Sequence, residues 1–213
     1  MLENSIFHER PCNFVIFDYR SVGESEGSFH STDDLILDAD TVYQFVRDHL
    51  QTPEDQIHFF GYSLGGGVSA QLSALHPNEH RRHVFDRTFA DLPSVVRAHA
   101  GNNPISSLAS WILRYNNFDL NTLGIWNELQ GRKIVTYHSE DWVIPPSASL
   151  ALTIDAKSAD IFPLRNAEGY ETENAHCDPI IYYEDKEGIW ADQRIMDFLL
   201  EEPAIEREEA LSR

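Results

Sequence analysis

Ser63 stands in Gly61-Tyr62-Ser63-Leu64-Gly65, which has the form G-x-S-x-G. A serine held on a very tight turn between a strand and a helix presents its hydroxyl clear of the backbone. The backbone there is strained, and small residues two before and two after, here Gly61 and Gly65, let strand and helix approach closely. The chemistry of such a serine is nucleophilic attack on a carbonyl carbon. The Leu64 amide, first after the turn, would point at the developing oxyanion. Gly66 and Gly67 each lower helix propensity by about 1 kcal/mol against alanine, so their presence points to tight packing.

A serine hydroxyl needs a general base at neutral pH, and imidazole titrates in the right range. An acid must then hold the imidazole in the right tautomer. Behind a strand–turn–helix serine the chain order is Ser, then Asp or Glu, then His. His176, in Glu173-Asn174-Ala175-His176-Cys177-Asp178-Pro179, is the only histidine beyond residue 138 and the natural base. His138 is the rival; the others, His99 included, read as surface or packing residues. Two carboxylates lie in His138-Ser139-Glu140-Asp141-Trp142-Val143-Ile144-Pro145. Asp141 opens a turn closed by Ile144-Pro145 and has the better setting; Glu140 is the fallback. Cys177 invites a thiol-nucleophile reading, but it lacks a placed base of its own. Cys12 and Cys177 have no CxxC partner, which argues against a metal knuckle or redox pair. Two free thiols is the simpler expectation, with a disulfide left open.

The elements that must position these residues alternate. Asn13–Phe17 reads as a buried strand, 21–31 as a loop, and 32–50 as a helix with apolar residues at steps of three and four. Gln56–Phe60 reads as a strand, Leu64–Leu75 as a helix, and His83–Asp86 as a weaker strand. Lys133–Tyr137 and Ala159–Leu164 read as strands. Pro146 to about Ile154 and Ile189–Leu200 read as helices. Strands alternating with helices predict a mostly parallel sheet covered on both faces, with chemistry at the strands' carboxyl ends. One domain is expected over 1–200, with 93–130 as a small helical cap segment and 201–213 as an acidic, fraying tail. Trp111, Ile112, Leu113, Tyr115, Phe118 and Trp126 of the cap segment either line an apolar acyl pocket or pack the connecting helix on the sheet. Tyr62, Trp111 and Trp142 are the candidate substrate contacts.

The 213 residues carry 16 basic and 35 acidic side chains, a net charge of −19. Hydrophobic residues make up 42%, which excludes disorder along the whole chain. The charge argues against nucleic acid as a partner. The bland reading of the charge is an acidic surface. The sharper one is attraction of cationic substrates, for which Asp178, Glu173 and Glu140 near the triad give weak support. Apolar runs fall far short of the roughly 18 residues that cross a bilayer. No basic-then-apolar stretch opens the chain, so no signal peptide is predicted and a cytoplasmic location is expected, with signal-less export left open.

These residues together resemble the serine hydrolases of the α/β-hydrolase superfamily, and within it the Bem46-like group. That group pairs a D-Y-R-x-x-G-x-S-x-G loop with a G-x-S-L-G-G elbow. Here these read Asp18-Tyr19-Arg20-Ser21-Val22-Gly23-Glu24-Ser25-Glu26-Gly27 and Gly61-Tyr62-Ser63-Leu64-Gly65-Gly66. Asp86-Arg87-Thr88-Phe89-Ala90-Asp91-Leu92 resembles the segment after the family's sixth strand, and Asp141–Pro145 resembles its acid turn. The resemblance implies Ser63 as nucleophile, His176 as base, Asp141 as its orienter, ester, thioester or amide substrates, and no cofactor. It also implies three strands and a helix ahead of the D-Y-R loop, where only twelve residues precede Asn13. The chain is therefore expected either to be a fragment or to be N-terminally truncated with re-paired strands. The third strand's loop, which carries the second oxyanion donor, would be missing with them. Two functions follow: a serine hydrolase acting on a small acyl compound, or a catalytically impaired remnant that binds a partner or second copy through an exposed sheet edge.

Overall fold

The computed structural model of the protein describes residues 12–201. The tail expected beyond Glu201 and the stretch 1–11 lie outside the described residues.

Five strands form one sheet: β1 (Phe59–Tyr62), β2 (Arg82–Asp86), β3 (Arg132–His138), β4 (Asp160–Asn166) and β5 (Tyr183–Glu184), in that spatial order. The first four run parallel, and β5 pairs antiparallel with β4. Side chains on a strand alternate between faces, and β2 and β3 use both. Val84 and Ile134 join Phe162, Tyr183 and Ile195 in one apolar cluster, under helix α6 (Ala191–Leu200). Phe85 and Val135 join Ala70, Trp126 and Leu150 in another, so helices and turns cover both faces as expected. Helix α1 (Thr32–Gln44) lays Leu35, Ala39 and Tyr43 on Val68 and Leu72 of α2 (Leu64–Leu75). Asp33 and Asp34 sit in its first turn, where the helix dipole favours them. Arg20 docks the D-Y-R loop onto this helix, 2.6 Å from Asp38 and 2.7 Å from Asp34.

The strand that reads as weak is buried along its whole length. Its polar residues are there for a purpose. The Arg82 guanidinium donates to the carbonyls of Phe198 and Leu199, at 3.0 and 2.8 Å, and so closes the C-terminal end of α6. The segment after β2 is helical as expected: α3 (Leu92–Ala100), α4 (Pro104–Tyr115) and the short α5 (Thr122–Ile125).

Two expectations are corrected, and one strand is added. Asn13–Phe17 is not a strand: it forms no ladder, β1 is the edge of the described sheet on that side, and Ile16 is 90% exposed. An apolar run becomes a strand only where another strand offers its backbone, so re-pairing of this segment is not seen among the described residues. Pro146–Ile154 holds one 3-10 turn, Leu150–Leu152, instead of a helix. Its backbone is already engaged: Ala90 N–H donates to the Ala148 carbonyl at 2.9 Å and Leu150 N–H to that of Thr88 at 3.0 Å. Finally, β5 is a strand of two residues, too short for any periodicity to announce it. Among the described residues no helix is long and apolar enough to cross a membrane.

Candidate active site

Strand β1 delivers Ser63 to the carboxyl end of the sheet, and α2 starts on the next residue. Ser63 has φ 51° and ψ −116°, a backbone that side-chain-bearing residues rarely adopt. A Cβ added to Gly61 would stand 2.5 Å from the Gly65 carbonyl oxygen, and one on Gly66 would stand 2.5 Å from Thr88 Oγ1. One added to Gly65 would meet nothing within 4 Å. The close approach that the elbow requires therefore falls on Gly61 and Gly66, and the expected role of Gly65 is corrected. The Leu64 amide is the first of α2, one of the N–H groups a helix leaves without an internal partner.

His176 Nε2 lies 2.8 Å from Ser63 Oγ, and His176 Nδ1 lies 2.8 Å from Asp141 Oδ2. The imidazole and the carboxylate are both about 5% exposed or less. The other oxygen of Asp141 accepts from the amides of Val143, at 2.9 Å, and Ile144, at 2.8 Å. That is the turn read from Asp141–Pro145, and it aims the carboxylate at the histidine. Asn174 Oδ1 accepts from the His176 amide at 3.1 Å and helps shape the histidine's loop. The three residues are 35 or more positions apart in sequence, and the fold joins them in one relay.

The rivals are placed elsewhere. His138 is buried: its Nδ1 accepts from the Glu140 amide at 3.1 Å and its Nε2 lies 3.2 Å from Asn166 Oδ1. Glu140 is exposed, as is Cys177, and both cysteines are free thiols. Among the described residues no group of three His, Cys, Asp or Glu is placed to hold a metal.

The candidate substrate contacts scatter. The Tyr62 hydroxyl donates to the His176 carbonyl, and its ring centre is 5.2 Å from the imidazole. Burial pushes the Tyr62 hydroxyl up to about 12, so it stays a donor. Trp142 follows Asp141 and is exposed. Trp111 stacks on Tyr115 at 5.3 Å on the outer face of α4, and both are exposed. Exposed in this way, these two do not pack the helix on the sheet. Trp126 alone packs beneath the sheet, 5.4 Å from Phe85. A cavity of about 380 Å³ is lined by Thr32, Ile36, Gln71, Asn117, Leu120 and Asn121, and none of Ser63, Asp141 and His176 borders it.

One group went unassigned in the sequence. Asp86-Arg87-Thr88, at the carboxyl end of β2, touches both the elbow and the histidine loop. An arginine beside an aspartate at the end of a short strand is the signal that the sequence offers.

A protein-family profile described as "Chlamydia CHLPS protein (DUF818)" matches residues 4–144, more than half of the chain. The chain belongs to this family. The matched stretch takes in Ser63 and Asp141 and ends ahead of His176. The chain is 41% identical over 143 residues to the uncharacterized protein R595 of Acanthamoeba polyphaga mimivirus, covering 62% of this chain and 48% of that one. It is 31% identical over 81 residues to the alpha/beta hydrolase domain-containing protein WAV2 of Arabidopsis thaliana, covering 38% and 26%. It is 27% identical over 84 residues to the protein bem46 of Schizosaccharomyces pombe, covering 39% and 28%. These matches span about half or less of the length of the curated relatives. Among solved structures, an alpha-beta hydrolase from Vibrio vulnificus superposes with a TM-score of 0.55 at 18% identity, over 92% of this chain and 61% of that one. A lipase-esterase related protein from Clostridium acetobutylicum superposes with a TM-score of 0.52 at 11% identity, over 85% and 81%. The DUF818 chain thus has the α/β-hydrolase fold, of the Bem46-like kind that its motifs resemble.

Proposed function

We propose that the chain carries a serine hydrolase centre that cleaves an ester, thioester or amide through Ser63, His176 and Asp141. The observation that carries this reading is the unbroken relay of two 2.8 Å contacts from a strained elbow serine to a buried aspartate. With His176 carrying its proton on Nδ1, hydrogen-bonded to the Asp141 carboxylate, Nε2 is free to accept the Ser63 proton as Oγ attacks the acyl carbon. The oxyanion forms against the Leu64 amide, at the positive end of α2. The imidazolium then protonates the leaving group, and an acyl-enzyme on Ser63 remains for water to cleave by the same steps in reverse roles. The substrate is a small acyl compound, and the chemistry calls for no cofactor. The relatives named as α/β hydrolases support hydrolysis as the general class. A relay this complete speaks against an inert remnant.

Labelling by an alkyl fluorophosphonate tests it. The chain is expected to be labelled stoichiometrically, and Ser63→Ala is expected to abolish the label with the melting temperature kept. Folded wild-type chain that takes up no probe would sink the reading.

A further inference from the structure

The Ser63–His176 distance depends on two loops that follow different strands, and one tripeptide holds both. On the elbow side, the Ser63 amide donates to the Asp86 carbonyl at 2.9 Å, and Thr88 Oγ1 donates to the Ser63 carbonyl at 2.6 Å. On the histidine side, Arg87 Nη1 donates to the carbonyls of Ala175, at 2.9 Å, and Asp178, at 2.7 Å, the residues that bracket His176. The His176 carbonyl itself is taken by the Tyr62 hydroxyl. Nε and Nη2 of Arg87 grip the Asp86 carboxylate, each at 2.9 Å, and that carboxylate also accepts from Thr136 Oγ1 on β3 at 2.5 Å. The guanidinium lies 5.0 Å from the Tyr62 ring centre and 5.3 Å from that of Tyr183. The Tyr183 hydroxyl lies 3.2 Å from the Ala175 carbonyl.

Arg87 is 3% exposed, so it is not a surface contact for substrate. Its backbone has φ 44°, a left-handed conformation with no glycine to ease it. The turn keeps a long charged side chain in a strained position at the end of a buried strand. A planar fork with five donors can hold a carboxylate and two carbonyls at once, and an ammonium cannot.

We propose that Arg87 is a positioning residue for the hydrolytic reaction: with Asp86 and Thr88 on the elbow side and Tyr62 on the histidine side, it sets the distance between Ser63 Oγ and His176 Nε2. This rests on the triad reading above. It gives a task to a segment that the family resemblance left without one. Arg87 touches no reacting atom and acts through the backbone of residues 175–178.

The test compares fluorophosphonate inactivation of wild type, Ser63→Ala, Arg87→Lys and Tyr62→Phe over a range of probe concentrations. The labelled fraction at completion and thermal melting are recorded on the same samples. Lysine keeps a charge beside Asp86 and loses the fork; phenylalanine removes one hydroxyl. A misplacement of about 1 Å can cost roughly 100-fold. The maximal inactivation rate of Arg87→Lys is therefore expected to fall by about 10- to 100-fold, and that of Tyr62→Phe by severalfold. The half-saturating probe concentration should be unchanged, and every folded molecule should still label at completion. A merely structural role would lower the melting temperature and the labelled fraction while leaving the rate per active molecule alone. That result in the folded variants overturns the proposal, and Tyr62→Phe decides it if Arg87→Lys does not fold. Wild type that does not label removes the triad reading and this proposal together. Labelling that depends on Ser63, with wild-type rates in both variants, removes this proposal only.

Discussion

Asp141 and Glu140 are adjacent carboxylates with opposite surroundings. Asp141 is 4% exposed and accepts from two amides and the imidazole, whereas Glu140 points to solvent. A carboxylate held on three donors can keep an imidazole in one tautomer, and a solvated one cannot. Asp141→Asn is therefore expected to lower kcat for a p-nitrophenyl ester by about 10⁴, the size of effect seen when an aspartate of such a triad becomes an amide. Glu140→Gln should stay within about twofold of wild type. Equal losses in the two would count against Asp141. Turn chemistry in the sequence favours Asp141, since Ile144-Pro145 closes the turn that Asp141 opens, and the fold sets that carboxylate 2.8 Å from His176. For Arg87 the sequence offers only an arginine beside an aspartate, because the role proposed for it runs through the carbonyls of Ala175 and Asp178, some ninety residues on.

Among elements, the elbow is a place where helix and strands meet closely. The glycines there are not equivalent. Gly66→Ala would drive a methyl into the Thr88 side chain, with the nearest atom at 2.5 Å, and Gly61→Ala would drive one into the backbone of α2. Overpacking of this kind costs about 1–3 kcal/mol. Gly65→Ala meets open space and gains helix propensity worth up to about 1 kcal/mol. Thermal unfolding is expected to show Gly61→Ala and Gly66→Ala melting below wild type, with Gly65→Ala at or above it. A loss in Gly65→Ala equal to the other two would contradict the packing described. Elements with strong local signals were legible: α2 matches its expected span of Leu64–Leu75, and α1 starts at its expected position, ahead of its acidic first turn. Pro146–Ile154 departs from the expected helix because it bonds to residues 88–90, a partner that local sequence does not display.

For the whole molecule, the histidines at the start of the sheet set the pH response. Burial pushes His83 down to about 3, and its Nδ1 has no hydrogen-bond partner among the described residues. Burial, with the Arg82 and Arg81 charges, pushes His58 down to about 4. Both stay neutral in the folded chain where an unfolded chain takes up protons, below about pH 6.5. The unfolded state then binds more protons than the native one, so stability falls as pH falls. Their contribution is complete above about pH 6.5 and is lost progressively towards pH 4. The depressed carboxyls Asp34, Asp38 and Asp185 act below that window. The melting temperature is expected to drop by several degrees between pH 7 and pH 4.5, and His83→Gln is expected to flatten that slope. An unchanged slope in His83→Gln would show that His83 is not what the acid side titrates.

The sequence by itself determined the fold class and picked out Ser63, Asp141 and His176, which the fold brings within hydrogen-bond distance. G-x-S-x-G between a strand and a helix, an acid turn closed by Ile144-Pro145, and a lone late histidine are local patterns, and alternating periodicities are enough to predict a mostly parallel sheet. Only the tertiary structure decided the rest. It left Asn13–Phe17 out of the sheet, left Gly65 facing open space, and set Asp86-Arg87-Thr88 between the serine and the histidine. The reason is that strand pairing, steric contact and hydrogen bonding to a distant carbonyl belong to pairs of residues. One-dimensional patterning reports only what each segment brings to such a pair.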